Sequence, residues 1–221
     1  MSVSLTVNEI FGSIDGEGLT AGGLACFIRL AGCNLRCSYC DTGYALEAGD
    51  GREMTIPEIL AKVRRIGYRH VTLTGGEPLV HPGAEELIDA LLEEGHLVNI
   101  ETNGSVPVRP YQKPGVMITM DWKCPGSGME EAMLPENPEL LREGDVLKFV
   151  CEASDFDEVR RVLEEHSLRC WVYLSPVFGK VRPEQLVDFL KSLADSGMDT
   201  EKIRVQVQLH KVIWDPEERG V

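Results

Sequence analysis

The chain has 221 residues, of which 43% are apolar and 26% are charged, a composition typical of a globular protein with one core. Asp and Glu outnumber Lys and Arg by 36 to 22, and a surface with this acidic excess repels phosphate backbones, which excludes nucleic acid as a bulk partner. No apolar run approaches the ~20 residues that cross a bilayer. No basic region precedes an apolar stretch at the start, so we expect a cytoplasmic protein without a membrane partner.

Short β-branched runs alternate with helical patterns along most of the chain. Strands are predicted at Ala25–Leu30, Val71–Thr74, Val98–Glu101, Val116–Met120, Val146–Val150, Trp171–Leu174 and Arg204–Leu209. Helices are predicted at Pro57–Ile66, Ala84–Glu94, Phe156–Glu165 and Pro183–Asp195. Thr55 and Glu58 form a capping-box pattern before the first helix, and Gly95 and Gly197 stand where helix C-terminal glycines belong.

This alternation of strands and helices predicts an α/β fold with a mostly parallel sheet. The connections Thr102–Gly115 and Asp121–Asp145 are rich in Gly, Pro and polar residues and too irregular for full helices. We therefore expect an incomplete, TIM-like barrel of about six parallel strands with a reduced set of outer helices. Residues 1–221 are predicted to form a single domain, because no linker or repeat interrupts them.

The chemically unusual segments mostly follow a predicted strand directly. They are Cys33–Thr42, Thr74–Pro78, Glu101–Gly104, Asp121–Pro125, Ser175–Pro176 and His210. In parallel α/β architectures the carboxyl ends of the strands share one face, where ligands bind. The six segments are therefore predicted to converge on one site.

Cys33, Cys37 and Cys40 are spaced as C-x3-C-x2-C. Electron-carrier cubanes usually have four protein thiolates, so three leave one iron open to an exogenous ligand. The alternative is a structural zinc site completed by Cys124 or a histidine. The remaining cysteines Cys26, Cys151 and Cys170 lie in or beside predicted strands and are interpreted as small core residues.

The cysteine triplet, with Tyr39 before its last member, resembles the radical S-adenosylmethionine (SAM) superfamily. Thr74–Pro78, read as Thr-Gly-Gly-Glu-Pro, resembles the segment with which that superfamily binds the methionine amino group. Gly75 and Gly76 would let the backbone approach a ligand closely. The resemblance implies a 4Fe–4S cluster on Cys33, Cys37 and Cys40, with SAM as the source of a radical.

A narrower resemblance covers almost the whole chain in separate blocks. These blocks are Glu9–Gly18, Phe27–Leu35, Cys40–Thr42, Glu101–Gly104, Asp121–Pro125, Gln208–Lys211 and Pro216. They resemble the 7-carboxy-7-deazaguanine synthase family. Two positions depart from the family pattern, which usually has Gln in place of Asp15 and often Trp in place of Tyr39.

This resemblance implies a carbon–nitrogen lyase of deazapurine (queuosine-type) biosynthesis. The substrate would be 6-carboxy-5,6,7,8-tetrahydropterin, which loses hydrogen from C6, contracts its ring, releases ammonia and becomes 7-carboxy-7-deazaguanine. The implied cofactors are the 4Fe–4S cluster, SAM and Mg²⁺, a hard cation that prefers oxygen ligands. The implied partners are an electron donor such as flavodoxin or ferredoxin and a second copy of the chain in a homodimer.

The resemblance also assigns residue roles by position. Thr42 would bind magnesium, and Arg29 would bind the substrate carboxylate with its guanidinium fork. The residues that would contact SAM are Tyr39, Asp41, Gly76, Glu101, Asn103, Asp121, Lys123 and Ser175. The residues that would contact the pterin are Ile14, Asp15, Gly16, Arg29, Thr74, His210 and Pro216. For Arg29 the alternative is a structural ion pair, and for the SAM set it is ordinary loop packing.

Two other functions remain open from the residues alone. A glycyl-radical activating enzyme shares the cysteine spacing and the small size, but the Phe11–Gly18 block and Thr42 argue against it. A non-catalytic iron–sulfur or zinc protein is the other alternative. The Gly-Gly-Glu-Pro turn and the missing fourth cysteine of the motif argue against that class.

Overall fold

The computed structural model describes residues 3–221, which contain nine strands in one sheet. The strands are β1 (Ser4–Ile14), β2 (Leu24–Leu30), β3 (Arg52–Thr55), β4 (His70–Gly75), β5 (Leu97–Thr102), β6 (Val116–Asp121), β7 (Val146–Cys151), β8 (Trp171–Pro176) and β9 (Ile203–Val205). The helices are α1 (Ile56–Ile66), α2 (Ala84–Glu93), α3 (Asn137–Leu140), α4 (Phe156–Glu165), α5 (Pro183–Asp195) and α6 (His210–Ile213).

The strand order is β3-β1-β2-β4-β5-β6-β7-β8-β9, and every neighbouring pair from β2 to β9 is parallel. Only β1 is antiparallel to its neighbours β2 and β3. The parallel run contains six strands of six or seven residues and the three-residue β9. The sheet does not close on itself, so the predicted α/β fold with an incomplete barrel is confirmed.

Alternation along the strands separates an apolar outer face from a polar inner face. On β2, Ile28 and Leu30 are fully buried in the core, whereas Phe27 and Arg29 line a cavity on the other face. The same alternation continues across the parallel strands, with Thr74, Glu101, Asp121 and Lys148 lining the cavity. The hydrophobic core therefore lies between the sheet and its outer helices, and the inner face is left for chemistry.

The outer helices bury their apolar stripes against this core. Val63 of α1, Leu91 of α2 and Phe189 of α5 are buried there. The Thr55–Glu58 capping box forms at the start of α1, with the Thr55 amide 2.8 Å from a Glu58 carboxylate oxygen. The connection from β5 to β6 has no α-helix among the described residues, and the one from β6 to β7 has only the four-residue α3. Across residues 3–221, none of the helices combines the length and apolarity that crossing a bilayer requires.

Three strands differ from the sequence prediction. β3 was not predicted, because Met54 is the only one of its four residues that is buried. β1 was not predicted, because its pairing with β2 is irregular between Val7 and Glu9 and this breaks the two-residue alternation. β9 ends at Val205 instead of continuing to Leu209. After Gln206 the chain leaves the sheet edge, and the Leu209 amide donates to the Gly16 carbonyl oxygen at 3.1 Å.

The loop that joins β1 to β2 packs against the inner face of the sheet. The Thr72 hydroxyl donates to Asp15 at 2.7 Å, and a Glu17 carboxylate oxygen lies 3.0 Å from Lys148 Nζ. Gln206 accepts from the Gly18 amide at 2.9 Å, so the segment after β9 also binds this loop. Side-chain hydrogen bonds thus connect the two ends of the open sheet through the loop.

Lys148→Ala is expected to lower the free energy of unfolding by about 3–5 kcal/mol, the range for removing one partner of a buried ion pair. The Lys148 side chain is 7% exposed and pairs with Glu17 and Asp121. Without its positive charge, these two buried carboxylates would lose a cation that compensates them. Urea unfolding at neutral pH measures the change. The control is Lys191→Ala, which removes an exposed pair with Asp188 and should stay within about 0.5 kcal/mol of wild type. Equal free energies of unfolding for the two variants would show that the ion pairs of Lys148 do not stabilise the fold.

Candidate active site

A cavity of about 570 Å³ lies beyond the carboxyl ends of the parallel strands. The predicted site residues that line it are Ile14, Gly16, Arg29, Cys33, Cys37, Tyr39, Cys40, Asp41, Thr42, Thr74, Gly76, Glu101, Asn103, Asp121, Lys123, His210 and Pro216. Asp15 and Ser175 are the two predicted site residues that do not line it. The strand ends therefore bring together the segments that the sequence marked as unusual.

The cysteine loop has no regular secondary structure and is held by hydrogen bonds to its neighbours. The Cys33 amide donates to the Leu46 carbonyl oxygen at 2.9 Å, and the Ser38 hydroxyl donates to the Gly126 carbonyl oxygen at 2.7 Å. The Tyr39 hydroxyl donates to the Val150 carbonyl oxygen at 2.8 Å. The loop is thus fastened to the β6–β7 connection and to β7.

The surroundings of the thiols suit thiolate ligands. Burial raises the pKa of the Cys33 and Cys37 thiols, and the Lys123 ammonium partly offsets this at Cys37. Cys33 Sγ accepts a hydrogen bond from the Leu35 amide at 3.4 Å. N–H donors of this kind stabilise thiolates that bind iron–sulfur clusters. The three thiols in one cavity therefore fit a cluster whose binding displaces their protons.

The structure argues against the zinc alternative. Cys124 is fully buried, lies in the hydrophobic core and does not line the cavity, so it cannot complete a site with the triplet. In the part of the chain that the structure describes, no three His, Cys, Asp or Glu side chains gather as a single-ion site. Ligands of a cubane bind different irons and need not converge on one point. Cys26, Cys151 and Cys170 are buried in the core, as predicted.

The Gly-Gly turn after β4 packs against the chain that leads into the cysteine loop. A Cβ atom on Gly76 would lie 2.3 Å from the Gly32 carbonyl oxygen. Gly75 has a φ of 148°, and a Cβ atom there would lie 2.1 Å from the Leu30 carbonyl oxygen. From the sequence, these glycines are expected to let a ligand approach the backbone. The structure gives them a further reason, which is the close contact between β4 and the end of β2.

A network of buried charges forms the wall between the cysteine loop and β7. Asp121 lies 2.9 Å from Lys123 Nζ and 3.2 Å from Lys148 Nζ. Burial alone would raise the pKa of Asp121, but these two ammonium groups lower it. Burial raises the pKa of Glu101, which accepts from the Thr74 hydroxyl at 2.8 Å. Each oxygen of the Asp121 carboxylate thus lies beside an ammonium group, Oδ2 beside Lys123 and Oδ1 beside Lys148.

Arg29 stands at the cavity wall, as the alternation of β2 predicted. Its Nε lies 2.8 Å from Glu9 Oε1, which also accepts from the Tyr44 hydroxyl at 3.2 Å. The Arg29 guanidinium lies 5.8 Å from the centre of the Tyr44 ring. An ion pair with Glu9 thus exists, as the structural alternative required, but it uses only Nε. The two Nη groups have no protein hydrogen-bond partner among the described residues.

Thr42 and Asp41 follow Cys40 and face the same cavity. The Thr42 hydroxyl donates to Asp41 Oδ1 at 3.0 Å, so the lone pairs of its oxygen remain available. Partial burial disfavours ionisation of Asp41, but Lys211 Nζ at 2.6 Å lowers the pKa of Asp41 to about 2. A free hydroxyl oxygen beside an ionised carboxylate fits a hard cation such as Mg²⁺.

Asp15 and Ser175 lie behind the cavity wall instead of on it. The Asp15 side chain is 3% exposed and is bound by Thr72, and burial raises its pKa. Its backbone N–H and C=O pair with Gly23 and Gly22, so they are not directed at the cavity. Ser175 is fully buried and its hydroxyl accepts from Gln206 Nε2 at 3.0 Å. Gln206 in turn donates to Glu17, which lines the cavity, at 3.2 Å.

The segment after β9 covers one side of the cavity. The predicted site residue His210 is the first residue of α6, and its ring packs on Gly16, where a Cβ atom would lie 2.2 Å from His210 Nδ1. Burial lowers the pKa of His210. Beyond Pro216, the Arg219 guanidinium lies 3.8 Å from the centre of the Tyr44 ring. The C-terminal segment therefore reaches the Arg29 side of the cavity.

Sequence reasoning missed several residues of this site, notably Glu17, Lys148 and Arg219. Lys148 could have been predicted, because it is a charged residue within the apolar strand Val146–Cys151. The same pattern on β2 indicated that Arg29 faces inward. Glu17 lies inside a block that was quoted for the family resemblance. Arg219 had no signal, since a lone arginine near a chain end usually contacts solvent.

Comparisons with known proteins agree with this geometry. Residues 27–121 match the model of the Radical SAM superfamily. The 7-carboxy-7-deazaguanine synthase of Clostridium acetobutylicum is 44% identical over 97% of this chain and 98% of its own. The synthase of Chlorobaculum tepidum is 38% identical over 98% of this chain and 97% of its own.

Solved structures show the same architecture. The crystal structure of QueE from Escherichia coli superposes with a TM-score of 0.73 and 25% identity, over 94% of this chain and 95% of that one. Streptococcus suis SuiB, solved with S-adenosylmethionine, shares the fold at a TM-score of 0.56 and 14% identity, over 79% of this chain and 48% of its own. With the full-length relatives and the thiol-lined cavity, the chain belongs to the 7-carboxy-7-deazaguanine synthase family of the radical SAM superfamily.

Proposed function

We propose that this protein converts 6-carboxy-5,6,7,8-tetrahydropterin into 7-carboxy-7-deazaguanine and ammonia. One observation carries the proposal: the three cysteine thiols and the inward guanidinium of Arg29 face the same cavity of about 570 Å³. Such a cavity can hold a radical source and a small anionic heterocycle together. A glycyl-radical activating enzyme would need this space for a segment of a partner protein, and the family relationship does not favour it.

The cavity residues divide into groups by what they would hold. Cys33, Cys37 and Cys40 would bind the 4Fe–4S cluster, and SAM bound there supplies the radical that starts the reaction. Thr42 would bind Mg²⁺. The residues proposed to hold SAM from the cavity wall are Tyr39, Asp41, Gly76, Glu101, Asn103, Asp121 and Lys123. Ser175 would act through Gln206, because its hydroxyl is buried behind the wall.

Charge balance supports an anionic substrate. The whole chain has 36 acidic against 22 basic side chains. The cavity instead has equal numbers, because Arg29, Lys123, Lys148, Lys180, Lys211 and Arg219 face Glu17, Asp41, Glu101, Asp121, Glu217 and Glu218. A substrate carboxylate is therefore less disfavoured there than on the outer surface.

Arg29 would bind that carboxylate through its Nη groups, while Glu9 holds Nε and fixes the plane of the fork. The pterin would contact Ile14, Gly16, Thr74, His210 and Pro216. Asp15 would support this group from behind through Thr72. The C-terminal segment would exclude water from the reacting carbon, since Pro216 and Arg219 lie along the cavity wall.

The setting of the enzyme belongs to the same proposal. We place it in the cytoplasm, as one catalytic domain that receives electrons from a donor such as flavodoxin or ferredoxin. A homodimer would cover an unpaired strand edge of the open sheet, and such edges otherwise favour aggregation.

Anaerobic incubation of the reconstituted protein with the carboxytetrahydropterin, SAM, Mg²⁺ and a reductant tests the function. We expect 7-carboxy-7-deazaguanine and ammonia in equal amounts. Cys33→Ala, Cys37→Ala or Cys40→Ala should each abolish cluster assembly and product, because each removes the only thiolate to one iron. Cys26→Ala and Cys170→Ala are the matched controls and should keep both. Full iron and sulfide content in Cys37→Ala would contradict the assignment.

Thr42→Ala should raise the Mg²⁺ concentration needed for half-maximal turnover by roughly tenfold or more, since it removes the proposed hydroxyl ligand. Cluster content should not change, because Thr42 contacts no thiol. Titration of Mg²⁺ into chelator-treated enzyme measures the effect, and Thr42→Ser should restore most of the affinity. Wild-type turnover that is equally fast in excess chelator would rule out the magnesium role.

Arg29→Ala should weaken substrate binding by about 2–5 kcal/mol, the range for truncating one partner of a buried charge pair. Arg29→Lys should recover only part of the loss, because an ammonium group cannot reproduce the fork. Calorimetry with the carboxytetrahydropterin measures the affinity.

Cluster content and SAM cleavage without substrate should stay at wild-type levels in both Arg29 variants. Arg204→Ala is the matched control, since Arg204 also lies on a strand and over an aromatic ring, Trp171, but outside the cavity. If Arg29→Ala binds the pterin as tightly as wild type, the arginine serves only its pair with Glu9.

A further inference from the structure

Asn103 follows β5, and every hydrogen-bonding position of its side-chain amide is used within the protein. Its Nδ2 lies 3.8 Å from Cys33 Sγ and 3.1 Å from Asn34 Oδ1. Its Oδ1 accepts from the Ser105 amide at 3.0 Å and from the Ser105 hydroxyl at 2.6 Å. A primary amide has two N–H donors and two acceptor lone pairs, so these four contacts use all of them.

The Ser105 backbone fixes which atom of the Asn103 amide faces the thiol. A backbone N–H can only donate, so the Asn103 atom beside it must be the carbonyl oxygen. The NH2 group is therefore directed at Cys33. Together with the Leu35 amide at 3.4 Å, Cys33 Sγ receives two N–H donors.

The backbone of Asn103 is held just as firmly by Glu77 of the Gly-Gly-Glu-Pro turn. Glu77 is fully buried, and its Oε2 accepts from the Asn103 amide at 2.6 Å. Its Oε1 accepts from the Leu79 amide at 3.0 Å and from the Thr102 hydroxyl at 2.8 Å. No described Lys or Arg forms an ion pair with Glu77, so these hydrogen bonds are what stabilise a buried carboxylate.

Glu77 also binds the start of the cysteine loop, so hydrogen bonds connect Glu77, Asn103 and the Cys33 region in a closed set. The Glu77 amide donates to the carbonyl oxygen of Gly32, the residue before Cys33, at 2.9 Å. The Glu77 backbone thus holds one side of Cys33, and its carboxylate places the Asn103 donor on the other side. Glu77 of the proposed SAM-binding turn thereby influences the position of Cys33 through Asn103 and Gly32.

We propose that Asn103 is a positioning residue that donates an N–H to the Cys33 thiolate and raises the reduction potential of the cluster, with Glu77 holding Asn103 in place. This inference rests on the proposed function, since it assumes the cluster on Cys33, Cys37 and Cys40. Hydrogen bonds to the sulfurs are among the features that set cluster potentials, and they favour the reduced form with its additional negative charge. Because the side-chain amide is used in this way, the contact with SAM proposed above would come from other atoms of Asn103.

The test is the midpoint potential of the reconstituted cluster, measured by redox titration with electron paramagnetic resonance and without SAM. Asn103→Ala should shift the potential to more negative values. Glu77→Gln should produce a smaller net shift, because the loss of the negative charge near Cys33 acts in the opposite direction to the loss of the hydrogen bond. The double variant should shift no further than Asn103→Ala alone, because both changes remove the same hydrogen bond. Asn99→Ala is the matched control: it removes another buried amide of β5, bound to Thr119 and not to the cysteine loop, and should keep the wild-type potential.

The possible failures can be told apart. If wild-type protein assembles no 4Fe–4S cluster, the proposed function itself is wrong. If the cluster assembles and Asn103→Ala has the wild-type potential, only the inference is overturned. If Glu77→Gln shifts the potential equally in wild type and in the Asn103→Ala background, the part of Glu77 is overturned, since the direct charge effect is the same in both. Should Glu77→Gln fail to fold, Glu77→Asp decides, since it keeps the charge but withdraws the carboxylate from the Asn103 amide and must lower the potential.

Discussion

The Lys148 ammonium group is the charge on which the interior of this sheet depends. Alternation along the strands turns apolar side chains toward the helices and polar ones inward, so carboxylates accumulate where water is scarce. Burial alone would lower the pKa of Lys148, but Asp121, Glu17 and Glu101 together raise it well above its ordinary value. One cation thus stabilises a loop residue and two strand ends at once. Displacing any of the three carboxylates would leave charge uncompensated, which keeps the β1–β2 loop against β7 and makes the cavity wall rigid.

The open edge of the sheet explains the positions of the N-terminal loop and the C-terminal segment. A closed barrel would exclude solvent with further strands and helices, but here β9 has only three residues. At this edge the Gln206 side chain binds Glu17, Gly18 and Ser175, and further along the chain Lys211 pairs with Asp41 of the cysteine loop. Side-chain contacts thus replace the missing hydrogen-bond ladder. These contacts bring residues from the N-terminal loop and the C-terminal segment to the wall of the same cavity. A cavity formed in this way can admit a small molecule and then enclose it.

The outer layer of the fold was predictable from sequence, and the inner layer only in part. Buried parallel strands and their helices produce strong apolar patterns, so five strands and the helices α1, α2, α4 and α5 were predicted to within one residue at each end. β1 was missed because its bulge interrupts the alternation, and β3 was missed because it has four residues with one buried. β9 was predicted too long because Val207 and Leu209 continue the alternation of Val205 after the strand has ended. Site residues on strand ends follow from topology. Contacts such as Lys148 with Glu17 span 131 positions and depend on a loop path that no local pattern specifies.

The two departures from the family pattern, Asp15 and Tyr39, both make hydrogen bonds that support the site. Asp15 stands where the family usually has glutamine, and its side chain binds Thr72 behind the wall. Burial raises the pKa of Asp15 and so favours the uncharged carboxyl group, which resembles the amide of glutamine. Tyr39 replaces a tryptophan, and its hydroxyl donates to the Val150 carbonyl oxygen at 2.8 Å. An indole N–H is also a donor, so the anchor from the cysteine loop to β7 can be kept by either residue. Both residues therefore keep a contact that supports the site, and Tyr39 also lines the cavity itself.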